Sequence, residues 1–260
     1  MSEKRRLLAG KVFKHMQQSE LTQIQAVIDK IQALDWDVIT EQIHQQGFAL
    51  IKQILSTEQC ELLKQLYSQP DLYRKSVEMQ RYRFGLGEYK YFTYPLPNLI
   101  ERIRHEVYPH LVPIANAWFR VLKLERSFPS SHAEFLQQCH QHGQTLATPL
   151  ILKYGQGGFN TLHQDLYGEV YFPLQLVIVL SQPNADFTGG ELVFTQQIPR
   201  AQSKVLVMQP EQGDILIFTT QFKPEKGSQG YYRVNIKHGV SPILRGERYS
   251  LGIIFHDAMS

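Results

Sequence analysis

Residues 152–172 read Leu152-Lys-Tyr-Gly-Gln-Gly-Gly-Phe-Asn-Thr-Leu-His163-Gln-Asp165-Leu-Tyr-Gly-Glu-Val-Tyr-Phe172. His163 and Asp165 stand two apart. On a strand, residues two apart point to the same face. An imidazole and a carboxylate can then converge on one metal ion. Two ligands rarely make a tight site, and a third stands downstream: His238, in Arg233-Val-Asn-Ile-Lys-His238-Gly. Two histidines and one carboxylate leave three coordination positions open for other ligands.

In a chain with ten histidines a His-x-Asp pair alone is weak. The ordered set is more specific: Tyr154, His163-x-Asp165, Gly189-Gly190-Glu191-Leu192, His238 and Arg248-x-Ser250, all on strand-like segments. This set resembles the iron(II)- and 2-oxoglutarate-dependent dioxygenases over roughly residues 146–260. Within that superfamily the runs from Leu162 to Glu169, Asp186 to Leu192 and Leu251 to Asp257 are similar to a bacterial family described as oxygenases acting on damaged, alkylated DNA. The likeness extends upstream through Gly85-x-Gly87-Glu88-Tyr89 and Tyr94-Pro95-Leu96-Pro97. Tyr154 and the Gly189-Gly190-Glu191 turn also look like the prolyl-hydroxylase branch.

The resemblance implies Fe(II) held by His163, Asp165 and His238, with 2-oxoglutarate and dioxygen as cosubstrates. The distal carboxylate of 2-oxoglutarate needs a buried partner of matching geometry. Arg248 offers a planar, bidentate fork. Ser250, two residues on, can add a hydroxyl, and Tyr154 sits where the prolyl-hydroxylase branch places a tyrosine near the cosubstrate. For Tyr154 and Ser250 packing is an equal alternative. The implied activity is oxidative demethylation or hydroxylation of alkylated nucleic acid bases, a DNA repair reaction on single-stranded or damaged DNA. The alternative is a protein (prolyl-type) or small-molecule hydroxylase, and from another class a non-catalytic module that senses iron or a ligand.

Outward from the motif, strands are predicted at 151–154, 175–180, 191–195, 205–209, 214–218, 233–237 and 249–255. Turn signals such as Pro183-Asn184, Pro210-Glu211 and Arg245-Gly246 separate them. Many short strands at this spacing predict a sandwich or jelly roll. Gln175, Arg233 and Asn235 fall on these strands without a specific role. His256-Asp257 is set aside as a ligand pair, because adjacent strand residues face opposite ways.

Upstream, apolar residues recur at helical spacing over 21–34 and 98–121, and a short helix is predicted over 37–46, ending at Gly47. A strand follows over 48–55. Ser56 and Gln59 read as a capping box opening a helix with Leu62, Leu63 and Leu66 on one side. Another helix is predicted over 131–141, with His140 and His142 diverging near its C-terminus. The fold class is α+β: a double-stranded β-helix (jelly roll) catalytic core over 146–260 and an N-terminal helical support layer over 1–145, together one domain.

Between the helices, residues 73–97 interleave Arg74, Lys75, Arg81, Arg83 and Lys90 with Tyr82, Phe84, Tyr89, Tyr91, Phe92 and Tyr94. One reading is a lid that contacts nucleic acid through Arg81, Arg83, Tyr89 and Tyr91. The other is a β-hairpin whose aromatics pack the core while its cations face solvent or ligand. Residues 1–15 carry five cations against Glu3 and read as a solvated basic arm.

The formal net charge of +3 over 260 residues does not mark the whole chain as a nucleic-acid binder. Cys60 and Cys139 have no zinc-like spacing, which predicts free thiols in a reducing compartment. No apolar run approaches a membrane span, and the first residues lack a signal-like core. These features predict a soluble cytoplasmic protein.

Overall fold

The computed structural model describes residue 18, residues 20–165 and residues 168–260. The basic arm over 1–15 lies outside the described residues. Two antiparallel sheets dominate. In the larger, seven strands run in the order β1-β11-β7-β15-β5-β4-β2. These are β1 (Phe48–Ile51), β2 (Tyr73–Glu78), β4 (Glu88–Phe92), β5 (Leu150–Tyr154), β7 (Leu174–Val179), β11 (Ile215–Thr219) and β15 (Arg248–Ile254). The second sheet runs β10-β9-β13-β6-β3, with β12 beside β13. Its strands are β3 (Gly85–Leu86), β6 (Phe159–His163), β9 (Leu192–Gln197), β10 (Lys204–Met208), β12 (Phe222–Gly227) and β13 (Gly230–Val240). A short pair, β8 (Phe187–Gly189) with β14 (Ile243–Gly246), lies apart from both.

From β5 onward the chain passes repeatedly between the two sheets, which is jelly-roll connectivity. The sheets face each other without closing into a barrel. Strands of the first half also enter them: β1, β2 and β4 extend the large sheet, and β3 pairs with β6.

The strand period of two sorts side chains between two cores. Leu174, Leu176 and Ile178 of β7, Ile215 and Ile217 of β11, and Leu251 and Ile253 of β15 face the helices and join the larger core. Val177, Leu216 and Phe218, of opposite parity, fill the space between the sheets. β7 is buried along its whole length because both of its faces are covered.

The helices supply the outer layer. Residues 20–32 form α1, followed by α2 (Trp36–Gln46), α3 (Thr57–Leu66), α4 (Asn98–Val121) and α5 (His132–Gln141). Gly47 ends α2 in the left-handed region, and the predicted Ser56–Gln59 capping box is present on α3. The α4 helix continues through Pro109 and Pro113. Burial of Ile103, Val107, Leu111, Ile114 and Trp118 outweighs the N–H donors that the two prolines lack. The expected α3 stripe needs correction: Cys60 and Leu63 are buried, Leu66 lies at the margin, and Leu62 is 50% exposed. The helical step turns Leu62 away from the face that carries residues 59, 60 and 63. The expected strand over 48–55 ends at Ile51.

Cys60 and Cys139 are buried free thiols, which burial pushes up to about 12 and about 11 respectively. Among the described residues no helix is long and apolar enough to cross a membrane.

Candidate metal centre

His163 ends β6 and His238 lies near the end of β13, and the two are direct partners across that antiparallel pair. Direct partners project to one face, so residues 75 positions apart bring their rings to 4.3 Å between centroids. Asp165 follows β6 and turns its carboxylate between them. Its Oδ1 lies 3.4 Å from His163 Nε2 and its Oδ2 lies 3.2 Å from His238 Nε2. One ligand atom from each residue lies within 4.8 Å of the others. Ligands at right angles on a transition metal, with bonds of roughly 2.1 Å, sit about 3 Å apart, close to the two carboxylate–imidazole distances, so the donor set suits one ion.

Neighbouring groups orient the donors. His163 Nδ1 lies 2.8 Å from the Thr161 carbonyl. A carbonyl only accepts, so Nδ1 carries the proton and Nε2 keeps its lone pair for a metal. Phe218 and Phe194 wall the His238 ring, with centroids at 4.8 and 6.1 Å. His238 Nδ1 is buried without a partner among the described residues.

Burial by itself would raise the Asp165 carboxyl, but the charge of His238 and the hydrogen bonds to both histidines hold it well below the usual carboxylate range. Burial pushes His238 down despite Asp165. At His163 burial acts in the same sense, yet the contact with Asp165 prevails and raises it. The centre is therefore an anionic carboxylate between two imidazoles, a set suited to a divalent cation with open positions.

These residues line a cavity of about 240 Å³ between the sheets. Arg248 and Ser250 of β15 line the same cavity. Arg248 is 2% exposed and its Nη1 donates to Ser250 Oγ at 3.2 Å. No carboxylate of the described residues pairs with it. A buried guanidinium without an anion is costly, so the site fits an anionic ligand brought from outside. Arg248 pairs across the strands with Tyr154, whose ring centroid lies 5.8 Å from the guanidinium carbon. Burial pushes the Tyr154 hydroxyl up to about 12, so it stays neutral. Gly189 and Gly190 have φ of 73° and 65°, a region costly for other residues. A Cβ on Gly190 would stand 2.3 Å from Ile243 Cδ1 and 3.1 Å from Arg248 Cδ. The double-glycine turn thus lets the backbone close over the arginine.

Gln175, which had no role from sequence, proves central. Its Nε2 donates to Asp165 Oδ2 at 2.6 Å. Its signal was present: a polar residue of inward parity inside the apolar run 174–180. Arg233 and Asn235 have the opposite parity and are exposed. Their inward-facing neighbours Val234 and Ile236 are buried.

The segment over 73–97 matches neither sequence reading in full. β4 lies between β2 and β5, so both of its edges are paired. Tyr89 and Tyr91 line the cavity. Lys90, expected to face solvent or ligand, instead rests 4.0 Å from the Tyr67 ring centroid on the outer face. Arg81 and Arg83 stand exposed at the tip beyond β2, and Arg81 pairs with Glu78 at 2.8 Å. His140 and His142 form no metal cluster among the described residues. His140 bonds Asp257 and His142 bonds the Gln138 carbonyl. His256 and Asp257 lie beyond the end of β15 and are buried, His256 accepting from the Phe172 N–H and Asp257 bonded by Arg104 and Tyr94. That placement, more than strand parity, separates them from the centre.

A family model described as an oxygenase catalysing oxidative methylation of damaged DNA matches residues 87–258. An uncharacterized protein of Mycobacterium tuberculosis, found in strains CDC 1551 and H37Rv, is 49% identical over 167 residues, covering 64% of this chain and 72% of the relative. Among solved structures, a Pseudomonas putida prolyl-4-hydroxylase overlays with TM-score 0.49 and 13% identity, over 84% of this chain and 96% of that one. A viral collagen prolyl hydroxylase from Paramecium bursaria Chlorella virus-1, described as a 2OG complex, overlays with TM-score 0.46 and 16% identity, over 80% and 95%.

Proposed function

The chain belongs to the oxygenase family described as acting on damaged DNA, and from that premise we propose an iron(II)- and 2-oxoglutarate-dependent dioxygenase that removes an N-linked methyl group from a nucleic acid base. The observation that carries this reading is one cavity holding both a His-Asp-His donor set and a buried arginine without a carboxylate partner among the described residues. His163, Asp165 and His238 hold the metal, and Arg248 with Ser250 receives the distal carboxylate of 2-oxoglutarate. When bound, iron with 2-oxoglutarate and dioxygen supplies the oxidising equivalents that convert an N-methyl to an N-hydroxymethyl group, which leaves as formaldehyde.

The chain's own residues bind and orient. Asp165 offsets one unit of metal charge, and Gln175 fixes the rotation of that carboxylate. Thr161 selects the His163 tautomer. The Arg248 fork, desolvated between the sheets, sets the direction of the diacid. Tyr154 flanks it. Tyr89 and Tyr91 form the cavity wall against which a planar base can rest. Arg81 and Arg83 are exposed on either side of Tyr82, and a surface pair such as Arg81–Glu78 is worth only about 0–1 kcal/mol and yields readily to phosphate. A base must leave its stack, or come from a single strand, to reach such a cavity.

The test is mass spectrometry of products. Purified protein with iron(II), ascorbate and 2-oxoglutarate is given N-methylated oligonucleotides beside peptides and a cell extract. Loss of methyl from the oligonucleotide, matched by succinate, is the expected result. An added oxygen on a peptide, with the methylated base untouched, overturns the nucleic-acid assignment.

A further inference from the structure

A second cavity, of about 250 Å³, adjoins the metal centre's cavity and shares the wall formed by Phe84, Tyr89 and Tyr91. Its other sides carry Arg74 and Lys75 from β2 and Tyr82 from the tip. A bulge builds this arrangement. Tyr73 pairs with Phe92 and Lys75 with Tyr91, so Arg74 is the extra residue on β2. A bulge re-aims a side chain, and here the Arg74 guanidinium carbon lies 4.7 Å from the Tyr91 ring centroid. Its Nε donates to the Ala147 carbonyl at 2.8 Å. Neither Arg74 nor Lys75 forms an ion pair with a carboxylate among the described residues; the Asp257 charge acts on Arg74 from a distance, and Lys75 is exposed to meet an anion.

Tyr82 and Phe84 are 55% and 45% exposed, yet they stack on each other with centroids 5.5 Å apart and rings 18° from parallel. Exposed, parallel aromatic rings present a flat face at an entrance. Phe84 is tied to the metal centre: its carbonyl accepts from Thr161 N and Oγ1, both at 2.9 Å, and the Thr161 carbonyl accepts from His163. The aromatic pair is therefore held at a set distance from the proposed ligands.

We propose that this second cavity is a subsite for the nucleotide next to the target base, with Tyr82 and Phe84 stacking the flanking base and Arg74 and Lys75 meeting the intervening phosphate. Cations beside stacking rings are the chemistry by which single strands are bound without reading their sequence. The shared wall places the two cavities next to each other, as neighbouring nucleotides require. The subsite rests on the nucleic-acid reading of the first cavity and adds a length requirement to it: a methylated mononucleotide fills one cavity, and a dinucleotide or longer fills both.

The test measures binding of the full chain with iron(II) and 2-oxoglutarate under nitrogen, where turnover cannot proceed. The probes are an N-methylated mononucleotide, the same base within a trinucleotide, and a trinucleotide with abasic flanks. The intact trinucleotide is expected to bind roughly ten- to a hundredfold tighter than the mononucleotide, the span of one stacked base. The abasic version should lose most of that gain. Tyr82→Ala should remove the gain selectively, and Lys75→Ala should shallow the salt dependence by about 0.7 in log–log slope. Thermal melts confirm that both variants fold. Equal affinity for mononucleotide and trinucleotide overturns the subsite, as does a Tyr82→Ala loss of the same size on both. The failures are distinguishable: turnover of methylated mononucleotides without any length dependence removes only the subsite, whereas no binding or turnover of any methylated nucleotide removes the nucleic-acid reading itself.

Discussion

Asp165 and Asp257 are both buried carboxylates with histidines beside them, and the fold treats them in opposite ways. Asp257 has its lone pairs filled. Arg104 Nη2 donates to it at 2.8 Å, the Tyr94 hydroxyl at 3.0 Å, and His140 Nε2 lies at 3.0 Å. Arg104 is itself consumed by the Ile254, Phe255 and His256 carbonyls. The cluster pins the chain after β15 against α4 and α5. Asp165 accepts from the Gln175 amide, and its two histidines bring ring nitrogens to its carboxylate beside a cavity. Among the described residues Arg248 is the guanidinium that lines that cavity, and its Nη1 donates to Ser250. A buried carboxylate closed by a guanidinium and a hydroxyl is a structural tie, and one flanked by two imidazole nitrogens that open onto a cavity is a place for a cation.

Removing each carboxylate tests this contrast most severely. Asp165→Ala, like His163→Ala or His238→Ala, should abolish iron binding and succinate formation while the melt moves little. Asp257→Asn should keep one iron per chain but cost about 3–5 kcal/mol by stranding Arg104. Elemental analysis beside calorimetry checks both, and retention of iron by the Asp165 variant breaks the comparison.

Next in size is Arg248→Ala. Losing the buried partner of an anion costs about 3–5 kcal/mol, or roughly a hundred- to several-thousand-fold in the Michaelis constant for 2-oxoglutarate. An unchanged constant contradicts the clamp. Gln175→Leu should be milder, about ten- to a hundredfold in iron affinity, as for other groups that orient a ligand. Titration of iron(II) into the apo variant measures it, and wild-type affinity would remove Gln175 from its orienting role.

Acid sharpens the closed side. Burial pushes His132 and His256 down to about 3, with Arg104 acting in the same direction. The Phe172 N–H donates to His256 Nδ1 at 3.2 Å, a bond that protonation there would break. Both rings are neutral in the fold and take up protons in the unfolded chain below its ordinary value of about 6.5. The unfolded state then binds more protons, so stability falls as the pH drops from about 6.5 toward 3 and is unaffected by these two groups above 7. Where both titrate, the slope approaches two protons, about 2.7 kcal/mol per pH unit. Urea titrations at stepped pH should show a shallower slope in a His132→Gln variant. The smallest effect belongs to neither cluster: Ser56→Ala should cost about 1 kcal/mol through the lost cap and leave iron content unchanged.

Local pattern determined a good deal. The 98–121 periodicity predicts α4 with the bounds observed, because a long amphipathic stripe has one way to be buried. Short apolar runs between turn signals predict strands at β5, β7 and β15, and the donor chemistry of His163, Asp165 and His238 is visible in their types and order. What sequence could not supply was which strands become neighbours and in what register. The pairs His163–His238 and Tyr154–Arg248, the bulge that turns Arg74 over Tyr91, and the reach of Gln175 to Asp165 all depend on register between segments far apart in the chain. So does the fate of Asp257, whose partners come from α4, α5 and the loop before α4. Register of that kind is set by the simultaneous packing of two sheets and a helical layer around shared cores, a condition on the whole molecule that no short window of residues contains.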